Sequence, residues 1–433
     1  MLIEKESSEQ LDAPFENDDP PLHLACKFKS NSPSLLEAAA TADDEASTSL
    51  VILMLEKLKQ NSNSEKRILF RSMQALDGQK KTVLQYAIEK RSLTMIEAIL
   101  QNYYEANRNV PYLNGNLPVH LEAKFGSSDV FRLLVKYDAV SFEFRNNSHN
   151  ENALHIAAKN NHSEFIKTYL EYEQGYMSNL EEDELPNYTP SVQCLNCAGQ
   201  TPLVVAIINE NLKCVEQLAA SKDIDLRLKD QNGYSVYHTC AQKNNVEALR
   251  FLLKRKDPKF VEPLFMKSIK NETPVHLASA NGSIEIIKLI MSKLSEGFGS
   301  KDAYVTEKDG ENQTCLHLAC VHGFFNIVEY LIVDLKMSFL LESRDKNGNT
   351  ALHLASSKGY LPIVNVLLQC GANLETKNDE GCTALELSCS NGFFDCAKSI
   401  ANRYVATNSK NIGPELSKSL QMACMNGAHE VCL

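Results

Sequence analysis

The sequence predicts an all-α fold: a solenoid of helix–turn–helix units with β-hairpin fingers, about 10 full repeats and a truncated eleventh. Three observations carry this. The segment "TALHLA" at Thr350 returns along the 433-residue chain as "PPLHLA" at Pro20, "LPVHLE" at Leu117, "NALHIA" at Asn152, "TPLVVA" at Thr201, "SVYHTC" at Ser235, "TPVHLA" at Thr273 and "TCLHLA" at Thr314. Most of these openings stand about 35 residues apart, which marks stacked supersecondary units. Apolar helical runs such as "IVNVLL" follow each motif about a dozen residues on.

Each element of the unit from Asp345 has a local cause. "DKNGNT" contains the Asn-Gly pair of a tight turn with positive φ, the tip of a finger. Thr350 stands where a helix N-cap would, its hydroxyl able to accept from a free N–H of the first turn. A short helix over 351–358 is then closed by Gly359, which tolerates the left-handed conformation. The second helix, "YLPIVNVLLQC", sets Ile363, Val364, Val366, Leu367 and Leu368 on a broad apolar face and ends at Gly371. A lone pair of this kind leaves apolar surface on both sides, so only its neighbours can bury it.

Degenerate copies follow the same plan. The unit at Thr82 carries Gln85 where most have histidine, the unit at Thr383 carries Glu386, and the unit at Thr201 carries Val204; the eleventh opens at Lys418. Longer steps reflect insertions at about residues 30–49, 59–76 and 174–193. The last of these, "EQGYMSNLEEDELPNYTPSVQ", is polar and acidic with Pro186 and Pro190, and reads as a long finger or a disordered loop. Residues 1–19 form an acidic, disordered tail and residues 20–433 the array. The sequence stops partway through a second helix with no polar cap, which predicts a fragment of a longer protein or a gene model cut short.

Composition narrows the function classes. With 43% hydrophobic and 23% charged residues the chain folds, and its net charge of −11 disfavours nucleic-acid phosphates and anionic lipids. No apolar run approaches the roughly 20 residues of a membrane span, and the start, "MLIEKESSEQ", is not a secretory signal. The 13 cysteines sit in apolar stretches such as "HLAC", as reduced thiols do. These features point to the cytoplasm, or to the cytoplasmic face of a membrane if a later segment spans it, and to protein partners.

The motifs resemble the ankyrin repeat, whose mark is T-P-L-H-x-A in a unit of about 33 residues. That resemblance implies a solenoid binding proteins through its fingers and first helices. It also implies a structural role for the motif histidines His23, His120, His155, His238, His276, His317 and His353, which bond to backbone and hydroxyl groups near the finger. Equivalent positions a repeat apart share no metal geometry, so these histidines predict no metal site. Candidate partner-binding residues on the fingers and first helices are Asn232, Tyr234, Lys346, Asn347, Lys358, Asp379 and Glu380.

No cofactor motif and no catalytic signature occurs: Walker A, G-x-S-x-G and H-E-x-x-H are all absent, so the segment reads as non-enzymatic. "CLNC" (Cys194 and Cys197) lacks the second pair of a zinc site and the βαβ setting of a redox pair. The aromatics after the inter-helix glycines, Phe324 and Phe325, Tyr360, Phe393 and Phe394, pack between helices on one reading and form an apolar stripe for a partner on the other.

Long arrays that begin near the initiator methionine also resemble those of the transient receptor potential ankyrin-type (TRPA) cation channels. That implies ion conduction and gating through a pore domain beyond Leu433, and self-association of the chain. The alternative is a soluble scaffold or adaptor that recruits protein partners.

Overall fold

The computed structural model describes residues 82–107, 115–137, 140, 148–179, 188–255 and 257–407. The unit at Pro20 with His23, the tail, the insertions at 30–49 and 59–76, and the unit at Lys418 lie outside the described residues. The chain forms two compact units, Met1–Ile224 and Asp225–Leu433, each built from the same helix pair.

In the first unit the pairs are α1 (Val83–Glu89) with α2 (Leu93–Asn107), α3 (Pro118–Phe125) with α4 (Ser128–Lys136), α5 (Ala153–Lys159) with α6 (Ser163–Met177), and α7 (Pro202–Ile208) with α8 (Leu212–Ala220). In the second they are α9 (Val236–Lys243) with α10 (Val246–Leu253), then α11 (Pro274–Ala280) with α12 (Ile284–Lys293), the latter pair followed by the short α13 (Lys301–Val305). Then come α14 (Cys315–His322) with α15 (Phe325–Glu329), α16 (Ala351–Ser357) with α17 (Leu361–Gln369), and α18 (Ala384–Ser390) with α19 (Phe394–Thr407).

Within each unit first helices stack on first helices and most second helices on second helices. Apolar residues at helical spacing meet between them. Ile287, Leu331 and Leu367, from successive second-helix segments, are buried to 0%, 0% and 0% exposure. Burial of each such side chain contributes about 2 kcal/mol. The boundaries agree with the sequence reading: Thr82, Asn152, Thr201, Ser235, Thr273, Thr314, Thr350 and Thr383 all stand as N-caps with extended backbone.

The fingers are closed turns; among the described residues they pair by single bonds and form no strand. In the turn at Asp345 the Asp345 N–H donates to the Asn349 carbonyl at 2.9 Å and the Gly348 N–H to the Asp345 carbonyl at 3.1 Å. Gly348 takes φ +72°, the left-handed value that the Asn-Gly pair signals. These turns are only five residues long, too short to build a ladder.

The 174–193 insertion begins and ends as folded chain. Helix α6 runs on to Met177, and Ser191–Gln193 form a 3₁₀ turn. Buried Glu173 fixes that turn by accepting from the Tyr188 hydroxyl at 2.6 Å and the Ser191 N–H at 2.8 Å. Burial holds the Glu173 carboxyl above its ordinary pKa. The steps from Ser235 to Thr273 and to Thr314 absorb their extra residues in 3₁₀ turns at Pro258–Phe260 and Glu262–Phe265 and in α13. Buried Tyr304 of α13 donates its hydroxyl to the Leu264 carbonyl at 2.9 Å.

Candidate functional site

The motif histidines lie inside the array, and their geometry states their role. In α14 the Thr314 N–H donates to His317 Nδ1 at 3.2 Å, and Thr314 Oγ1 lies 2.8 Å from the same nitrogen. An Nδ1 that accepts leaves the ring proton on Nε2. His317 Nε2 accordingly faces the carbonyls of Ser343 and Asn349, at 3.0 and 3.2 Å, in the next finger. His276 repeats this with Thr273, Glu307 and Gln313; His238 with Ser235 and Glu272; His353 with Thr350 and Cys382; His155 with Asn152 and Gln200. His120 accepts from the Leu117 N–H at 2.9 Å, and its Nε2 finds no partner among the described residues.

Apart from His120, each ring therefore joins a helix cap to the finger that follows. Burial lowers the imidazole pKa of His120 and His238 to about 4 and lowers those of His276, His317 and His353. Two of the substitutes keep the cap bond, and Val204 cannot. Gln85 Oε1 accepts from the Thr82 N–H at 2.7 Å and Glu386 Oε2 from the Thr383 N–H at 2.8 Å.

The fingers share a second device that the sequence reading overlooked. Five residues before the cap stands a short polar side chain: Asn196, Asp230, Ser268, Asp309, Asp345 or Asn378. Each accepts from two N–H groups of its own turn, as Asp345 Oδ1 does from Asn347 at 2.9 Å and Asn349 at 2.8 Å. The signal was available as Asp, Asn or Ser at a fixed offset.

Neighbouring fingers are stitched by backbone bonds. In the second unit the N–H groups of Ile269, Gly310, Lys346 and Asp379 donate to the carbonyls of Asn232, Lys270, Glu311 and Asn347 at 3.1, 2.7, 3.0 and 3.0 Å. Cys197 does the same to His149 at 2.9 Å. Cys194 is buried and Cys197 exposed, and no cluster able to hold a metal occurs among the described residues.

The candidate partner residues divide into two groups. Asn232, Lys346, Asn347, Asp379 and Glu380 are exposed on fingertips, and Lys358 is exposed at the end of α16. The finger stitches bring Lys346 next to Glu311, with which it pairs, and Asn347 next to Asp379. Tyr234 is turned inward: it stacks on His238 at 5.6 Å and donates its hydroxyl to Glu272 at 3.3 Å.

Three of the aromatics after the inter-helix glycines, Phe324, Tyr360 and Phe393, lie against the glycine of the preceding repeat, and Phe393 stays exposed. A Cβ at Gly282 would meet the Phe324 ring, one at Gly323 the Tyr360 ring, and one at Gly359 the Phe393 ring. Gly359 also sits at φ +74°. Gly359→Ala is expected to lower stability by about 2 kcal/mol, from left-handed strain and displacement of the Phe393 ring. A urea unfolding midpoint equal to that of the native chain would contradict this packing.

Comparison with known proteins agrees with this geometry. The family description "Ankyrin repeats (3 copies)" matches residues 84–182, 182–262, 255–338, 275–378 and 336–411. The NAD-dependent deacetylase sir2B of Dictyostelium discoideum is 22% identical over 331 residues, covering 71% of this chain and 41% of that protein. The nuclear factor NF-kappa-B p105 subunit of Gallus gallus is 27% identical over 234 residues, 53% of this chain and 21% of that protein. The transient receptor potential cation channel subfamily A member 1 of Homo sapiens is 26% identical over 203 residues, 45% of this chain and 17% of that protein. The chain thus spans less than half the length of each of these relatives. With caps, histidine links and turn-closing side chains recurring at the matched positions, the chain belongs to the ankyrin-repeat family.

Proposed function

We propose that the array is a protein-docking scaffold whose partner lies across the fingertips and first helices. One observation carries this: the backbone of the fingers is fixed by stitches and turn-closing side chains, while the tip side chains Asn232, Lys346, Asn347, Asp379 and Glu380 remain exposed. Ordered backbone with exposed side chains limits the entropy lost on binding. Charge reversal at Lys346 and Lys358, and alanine at Asn347, Asp379 and Glu380, is expected to weaken a purified partner at least tenfold. Substitutions of Glu247 and Glu285 on second helices serve as the control, and an equal loss there would sink the assignment of the face.

The more specific setting we propose is the cytoplasmic array of a TRPA-like cation channel, in which docking or self-association of the array contributes to gating. Its support is the similarity to the human channel; the p105 similarity, of the same order, supports a soluble adaptor instead. No helix of the described residues is long and apolar enough to cross a membrane. Sequencing the transcript beyond the codon for Leu433 separates the two: six apolar segments of about 20 residues support the channel, and a polar capping helix followed by a stop codon supports the adaptor.

A further inference from the structure

A row of cations runs through the fingers of the second unit at one register position. The residue just before each turn-closing side chain is basic: Lys229, Lys267, Lys308, Arg344 and Lys377. Because the fingers are stitched in register, these positions follow one another along the stack. Two of the cations show their direction. Lys229 Nζ donates to the Lys267 carbonyl at 2.7 Å and Lys308 Nζ to the Arg344 carbonyl at 2.8 Å. Each ammonium thus lies over the backbone of the next member of the row, and that bond uses one of its three donors.

The surface beside this row is poor in acids. The exposed ends of the neighbouring first helices carry Gln242, Lys243, Asn281, His322, Lys358, Ser390 and Asn391, with no acidic residue among them. The second helices of the same unit instead mix both signs, exposing Glu247, Glu285, Glu329 and Asp395 beside Arg250, Lys288, Lys398 and Arg403. Most acids on the fingers are committed internally. Asp230, Asp309 and Asp345 close their own turns, Glu307 pairs with Lys267 at 2.6 Å, and Glu311 pairs with Lys346. Glu272 accepts from Tyr234 and Ser268, and Glu342 from the Asn373 N–H and Thr376 Oγ1. Asp379 and Glu380 remain exposed at one end of the row.

We infer that this row binds an extended acidic peptide, a deepening of the docking function that rests on that reading. The net charge of the whole chain, −11, favours basic partners at long range. The local arrangement selects the opposite sign at contact. Packed helices lie about 8–10 Å apart and an extended peptide rises about 3.4 Å per residue, so one repeat spans about three peptide residues. With Lys267 held by Glu307, the other four cations, Lys229, Lys308, Arg344 and Lys377, match a segment of about a dozen residues with carboxylates at every third position, the one opposite Lys267 excepted. Partially exposed Leu318, Leu354 and Leu387, on the same turns of the first helices, supply an apolar strip beside the charges.

The test uses the full chain and a fluorescein-labelled peptide of about a dozen residues, with Glu at every third position and Ala and Ser between. Saturable binding is expected, weakening as salt rises. The triple variant K308E, R344E and K377E should lose it at least tenfold, whereas K288E and K398E on second helices should leave it unchanged. Hydrogen exchange on the triple variant confirms folding; K229E with K308E gives an independent reading if it does not fold. Three results would overturn the inference: no saturable binding, binding indifferent to the row, or equal binding of the peptide with Lys in place of Glu. Tighter binding of a single-stranded oligonucleotide of equal charge would overturn it in favour of a polyanion site. The docking reading itself is judged with a purified partner and the fingertip variants, so it survives failure of the acidic peptide.

Discussion

Replacing His317 by alanine is expected to lower the unfolding free energy by about 3 kcal/mol, combining a buried void with polar groups left unpaired. The ring has 0% exposure and serves three backbone groups: the Thr314 N–H and the carbonyls of Ser343 and Asn349. Its loss uncaps α14 and detaches the following finger at once. His317→Gln is expected to recover about half of the loss. The precedent is within the chain, where Gln85 holds the Thr82 N–H at 2.7 Å but, in a buried site, finds no partner for its Nε2 among the described residues. Urea midpoints measure the stability, and hydrogen exchange across 314–349 locates it. Equal losses in the two variants would show that the cap bond contributes nothing.

Acid is expected to loosen the array between about pH 6.5 and pH 4, and the sign follows from the direction of the shifts. Burial favours the neutral ring, so the folded-state pKa of His120 and His238 falls to about 4, below the ordinary value near 6.5. The unfolded chain binds the proton first. The stabilisation is therefore fully present above about pH 6.5 and is lost as pH falls toward 4, about 3 kcal/mol for a residue such as His238. His276, His317 and His353 shift the same way, although Asp309 and Asp345 nearby partly oppose the change.

The first unit has a counterweight. Glu122, buried and accepting from the Ser127 N–H at 2.8 Å, has its pKa raised to about 7 by burial. Its contribution runs the other way, present at low pH and lost as pH rises through 7. Hydrogen exchange at pH 7.5, 6 and 5 should thus show faster opening with acid, steeper in peptides around His238, His276, His317 and His353 than around Glu122. Flat exchange across that range, after correction for the intrinsic rate, would contradict the neutral-ring assignment.

Much of the fold was legible because its causes are local and repeated. A threonine before a histidine three residues on, an inter-helix glycine and an apolar second helix fixed most helix boundaries within a residue or two, as at Ala351–Ser357 and Leu361–Gln369. What escaped depends on partners distant in sequence. Nothing in "KDAYV" announces that Tyr304 reaches the Leu264 carbonyl, nor that Glu173 holds the end of the 174–193 insertion. Left-handed backbone at Arg91 and Glu210 was equally hidden, since both occupy the site where other units place glycine or asparagine. Of the candidate partner residues, Tyr234 was the least readable: an aromatic on a finger suggests recognition, and only the stack on His238 shows it serving the interior.

The stitches between fingers have an evolutionary corollary. They use main-chain atoms alone, so the amino acids at the tips can drift through generations without disturbing the register of the stack. Recognition in such a chain can diverge copy by copy while the framework stays constant, which accords with tips as unlike as Ile269-Lys270 and Asp379-Glu380 standing on the same turn.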